Sequence, residues 1–89
     1  MLIRSQNKAF LLNFSNLTAT YIVKDDEDFA VLSLENENRY RLGRYSAEAK
    51  AMKVLDMIQK CYEEYETERI YKEGVFKIGT FQMPEDSEV

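Results

Sequence analysis

Five bases crowd one stretch of the chain: Arg39, Arg41, Arg44, Lys50 and Lys53. Arg39 and Arg41 fall on alternate positions and so share one face of a strand, and Arg44 begins the turn that follows. With Tyr40 and Tyr45 beside them, they offer the chemistry of a basic and aromatic surface, suited to an acidic protein or a nucleic-acid strand. Further along, Tyr62, Tyr65 and Tyr71 lie on the second half of the expected helix and just beyond, and tyrosine serves both cores that reach the surface and interfaces between chains. Arg39, Arg41, Arg44, Tyr62 and Tyr65 are therefore the candidate partner-binding residues. The competing reading of the arginines is an exposed strand face balanced by neighbouring acids.

Other residue types with chemical potential fall short of a catalytic constellation. The chain has no histidine, which removes the commonest neutral-pH base and metal ligand and makes a Ser-His-Asp or Cys-His arrangement impossible. The single cysteine, Cys61, cannot form an internal disulfide, cannot make a zinc site alone, and lies beside an apolar stripe where packing is its expected role. Residues 25–28 are four consecutive acids, Asp25, Asp26, Glu27 and Asp28. A calcium loop of the EF-hand type needs alternating ligands, a central glycine and a distal glutamate, and this run lacks that spacing. The glycines at 43, 74 and 79 form no phosphate-binding loop. No cofactor, metal or catalytic residue is expected.

The net charge of −4 argues against nucleic acid as the partner. Its distribution is uneven: residues 1–24 carry +3, 25–37 carry −6, 38–60 carry +4 and 61–89 carry −5. Such polarisation can give a small protein one basic and one acidic surface. At 89 residues, with 45% hydrophobic and 31% charged residues, the chain suffices for one domain with a thin core. No apolar run has the roughly 18–20 residues of a membrane span and no leader pattern opens the chain, so a cytoplasmic location is expected.

These residues need elements to hold them. Residues 1–4 and 10–14 read as short strands, and residues 17–24 (LTATYIVK) as a strong one, with Leu17, Ala19, Tyr21 and Val23 on one face and Thr18, Thr20 and Ile22 on the other. The acidic run and residues 35–38 read as turns joining strands at 29–34 and 39–45. The period then changes: Ser46 suits an N-cap, and Ala51, Leu55, Ile58, Tyr62 and Tyr65 form a helical stripe that Met52, Val54 and Cys61 widen. Gly74 would stop the helix, and residues 75–82 read as a last strand before Pro84. The expected architecture is α+β: an antiparallel four- to five-stranded meander packed against one long helix, with a C-terminal strand. Residues 1–83 form one domain and residues 84–89 an acidic C-terminal tail.

Three segments carry a resemblance. They are Met1-Leu2-Ile3-Arg4-Ser5-Gln6, then Leu42-Gly43-Arg44-Tyr45-Ser46 with Ala51 and Val54-Leu55-Asp56-Met57-Ile58-Gln59, and finally Phe81-Gln82-Met83-Pro84-Glu85. In this order they resemble a group of short uncharacterised proteins of phages and prophages of low-GC Gram-positive bacteria. The resemblance implies a phage or prophage context and contributes no site residues.

The expected function is that of a non-enzymatic accessory protein acting through protein–protein binding, with a homodimer through the helix tyrosines as a further candidate. The alternative is an acidic inhibitor that occupies the nucleic-acid channel of a host defence nuclease. In it the acids at 25–28, at the helix end (Glu63, Glu64, Glu66, Glu68) and in the tail stand in for a phosphate backbone.

Overall fold

The computed structural model describes residues 1–71 and 79–89, the helix residues 67–71 by backbone alone. Among these residues six strands and one α-helix follow in the order β1 (Leu2–Arg4), β2 (Leu11–Asn13), β3 (Ala19–Asp25), β4 (Asp28–Glu35), β5 (Asn38–Tyr45), α1 (Glu48–Tyr71) and β6 (Thr80–Gln82). The class is α+β, as expected. The strands divide into two three-stranded sheets. One has the order β3-β4-β5 and is the antiparallel meander; the other has the order β2-β1-β6. In the second sheet β1 runs antiparallel to β2 and parallel to β6, so the C-terminal strand joins the N-terminal one and not the meander. The Gly74 stop and the part of the expected last strand before residue 79 lie outside the described residues.

The meander forms for local reasons. Its two hairpins close over Asp26-Glu27 and Asn36-Glu37, with Asp26 and Asn36 at φ of 56° and 54°. Asp and Asn tolerate this left-handed region better than most residues. Asp25 and Asp28 belong to the strands and pair across the ladder, so the turn proper takes only two of the four acids.

Pairing assigns the faces. Ile22, Val31 and Phe29 pack toward the helix. Thr20 pairs with Ser33, and their hydroxyls hydrogen-bond at 2.9 Å, which satisfies the fully buried serine. Tyr21, Val23, Ala30, Leu32 and Leu34 therefore lie on the opposite face. The face of β3 richer in large apolar residues is thus the one turned away from α1.

The β4–β5 ladder contains a register shift. Leu32 pairs with Arg41 and Val31 with Gly43, so Leu42 is an extra residue. This bulge lets Leu42 and Gly43 both bury, and it returns Arg44 to the face of Arg39 and Arg41. Gly43 makes room for Tyr45: a Cβ there would lie 3.0 Å from the Tyr45 hydroxyl and 3.1 Å from its ring, so the ring would have to give by a few tenths of an ångström.

Helix α1 lies across the inner face of the meander. Ala51, Val54 and Ile58 are buried with Ile3, Leu12, Val31, Leu42, Tyr45, Phe81 and Met83 in one core. Leu55 and Cys61 flank it, half-buried, whereas Met52 is 49% exposed. The stripe is therefore narrower at its start than the sequence pattern suggested. Ser46 does not cap the helix as an acceptor; its N–H and hydroxyl both donate to Asp86.

Residues 84–89 are acidic but tied to the domain. Tyr45 donates its hydroxyl to the Pro84 carbonyl at 2.8 Å, and Gln6 Nε2 donates to the same oxygen at 3.1 Å. Lys50 Nζ donates to the Asp86 carbonyl at 2.9 Å, a short 3-10 turn covers Asp86–Glu88, and Val89 packs against the core.

Candidate functional site

The five residues singled out for partner binding occupy two separate surfaces. Arg39, Arg41 and Arg44 line one margin of the outer face of the meander, as a row along β5 beside Leu34, Leu32 and Ala30. Arg44 joins this row through the bulge, which no alternation rule would have placed. Two of the three are engaged by the first hairpin. Arg44 Nε lies 2.8 Å from Asp28 Oδ2, and Arg41 Nη1 lies 3.4 Å from Asp25 Oδ2. These pairs are exposed, so each contributes little stability. Their effect is to neutralise the basic row at one end and half of the acidic run at the other. Arg39, at the far end, has no carboxylate within 4 Å among the described residues.

Tyr62 and Tyr65 sit on α1, across the sheet from the arginines. Tyr62 stacks obliquely on Phe14, with ring centroids 4.8 Å apart. The Tyr65 ring approaches Gly79, where a Cβ would lie 3.5 Å from it. Cys61 packs half-buried against the core, and burial with the nearby Glu64 pushes its thiol above the ordinary value. That shift holds the sulfur in its less nucleophilic form.

A third surface brings one of these residues into a different setting. Tyr62 lines a groove of about 400 Å³ together with Phe14, Leu17, Thr18, Ala19, Thr20, Leu55, Ile58 and Gln59. None of these nine side chains is charged. The groove runs between the start of β3 and the middle of α1. Its floor is the margin of the core, where Leu55 and Ile58 lie one turn apart on the helix. Phe14 and Leu17 reach it because a 3-10 turn at Phe14–Asn16 leads from β2 to β3 and folds both toward the helix. Asn13 accepts from the Ser15 N–H at 3.2 Å and fixes the start of that turn.

The wall of the groove is an open sheet edge. Strand β3 is terminal in its sheet, and among the described residues no backbone hydrogen bond leads from Ala19–Asp25 to any backbone but that of β4. Every second residue of such a strand turns its N–H and C=O outward. The opposite margin of the meander is closed along residues 42–44. Gln6 N–H donates to the Leu42 carbonyl at 2.7 Å, and the Gln6 side chain both accepts from Arg44 N–H at 2.9 Å and donates to its carbonyl at 3.2 Å. Gln6 and Asn7 leave only a polar notch of about 110 Å³ against residues 41–44. Among the described residues the meander thus has one edge capped along residues 42–44 and one free edge, and the free edge borders the apolar groove.

Sequence reasoning reached Tyr62 but missed the groove. The signal available was topological: residues 17–24 begin the meander, so one of their edges has no strand before it to pair with.

Among the described residues no three His, Cys, Asp or Glu side chains gather to hold a metal ion, and no helix is long and apolar enough to cross a membrane. No family model, no curated protein and no solved structure matches the chain.

Proposed function

We propose that this chain is a non-enzymatic accessory protein of the phage or prophage type, working in the cytoplasm by binding another protein, and that the groove between β3 and α1 is its binding surface. The observation that carries this reading is the conjunction of an uncharged, largely apolar groove with a free strand edge. Apolar surface left uncovered costs roughly 25 cal/mol per Å² relative to burial, and an open edge leaves backbone groups to water that a partner could satisfy. The three segments described above, at residues 1–6, 42–59 and 81–85, support the phage context.

The alternative, an acidic occupant of a nucleic-acid channel, has weaker support. Asp25 and Asp28 face Arg41 and Arg44, and Asp86 faces Ser46 and Lys50, so these three acids are already engaged within the chain. Affinity capture from the host cell with the wild-type chain and with Gln59→Trp separates the readings. Gln59 is exposed on the helix and lines the groove, so a tryptophan fills the groove without entering the core. The groove reading predicts a captured protein that the variant loses. Capture unchanged in Gln59→Trp, but lost when Asp26, Glu27, Glu63 and Glu64 become amides, would transfer the function to the acidic surface.

A further inference from the structure

The chemistry of the groove also specifies what kind of partner segment fits it. Strand β3 offers outward N–H and C=O groups at alternate positions, a spacing that only another extended chain matches. An α-helix satisfies its own backbone and is about 10–12 Å across, whereas a space of about 400 Å³ accommodates a few side chains. Among the described residues the lining carries no charge, so a charged group placed against them would lose water with no partner in return. Acids border the groove along the helix: Gln59, itself in the lining, donates to Glu63 at 3.1 Å, and Asp56 lies three residues before it on the same stripe. Met52, one turn before Leu55 and 49% exposed, extends the apolar lip toward the other end of β3.

We infer that the partner presents an extended, mainly apolar segment flanked by a basic residue, which pairs with the free edge of β3 as a fourth strand and directs alternate side chains into the groove. This rests on the groove being the binding surface. The segment's inward residues contact Leu55, Ile58 and Tyr62, and its basic flank meets the field of Asp56 and Glu63. Its backbone contributes affinity through the ladder, and its side chains contribute selectivity.

The test uses a displayed library of random ten-residue linear peptides, selected on the wild-type chain and counter-selected on Gln59→Trp, whose fold is checked by its denaturation midpoint. The expected result is enrichment of sequences with apolar residues at alternate positions next to Lys or Arg. In synthetic copies of the winners, N-methylation of one alternate set of amides should weaken binding at least tenfold, and methylation of the other set should leave it within about twofold. Equal tolerance of both sets, winners with apolar residues at helical spacing, or no enrichment over the variant would each overturn the strand-pairing inference. Helical winners that Gln59→Trp still excludes would do so while leaving the groove itself as the binding surface.

Discussion

Tyr45 shows how single residues tie this fold together. Its ring lies across Gly43, it is 1% exposed, and its hydroxyl reaches the Pro84 carbonyl. Burial pushes that hydroxyl well above the ordinary tyrosine value, and the carboxylates of Glu85, Asp86 and Glu88 add to the effect, so it stays a donor. Tyr45→Phe removes the bond, but Gln6 still donates to the same carbonyl. The expected loss is therefore near the low end for a buried hydrogen bond, about 1 kcal/mol, read by urea denaturation. Asp86 is the matching case at the surface. The Ser46 N–H, the Ser46 hydroxyl and Lys50 hold its carboxyl below the ordinary value of 3.8, against a smaller opposing effect of desolvation. A depressed folded value means the charged form is favoured by folding. Its contribution is complete above the unfolded value and disappears as pH falls below about 3.8 through the folded value. Asp86→Asn should lower stability at neutral pH and flatten its decline over that acid range. An unchanged acid limb in pH-dependent denaturation would show that Asp86 holds nothing together.

At the scale of elements, α1 divides its work unevenly. Ile58 is 3% exposed in the core while Met52 is half exposed, although both fell on or beside the stripe read from the sequence. Ile58→Ala should cost about 2–5 kcal/mol, a large share of the roughly 5–15 kcal/mol typical of a whole domain. Met52→Ala should cost under about 0.5 kcal/mol. Comparable losses at both positions, measured by denaturant unfolding, would mean that the helix sits rotated from the orientation described. The strands and helix were largely legible because period-2 and period-3.6 patterns are local. Three features were not. The face of β3 that turns toward the helix is the one with Thr20 and Ile22, because the Thr20–Ser33 hydroxyl pair makes a polar position compatible with the edge of the core. The bulge at Leu42 breaks the alternation that separated Arg44 from Arg39 and Arg41. The parallel pairing of β6 with β1 joins the two ends of the chain, a long-range contact that no local pattern encodes. The same limit hid the groove: its residues come from the 3-10 turn, β3 and α1, and only Tyr62 stood out by type.

Across the whole molecule, the two sheets leave the surface asymmetric. Among the described residues, Gln6 closes one edge of the meander along residues 42–44, the C-terminal residues lock onto Tyr45 and the start of α1, and the far edge at β3 stays free beside an uncharged groove. The outer face, with its arginine row, is the competing surface, and two of its three arginines are already engaged with the first hairpin. The most direct measurement is amide hydrogen exchange on the chain, free and in complex with the protein captured from the host. The account predicts new protection at outward-facing amides of β3 and in the middle turns of α1 around Leu55 and Tyr62, with the outer-face segment at residues 39–44 unchanged. Protection confined to residues 39–44, with β3 exchanging as in the free chain, would contradict it.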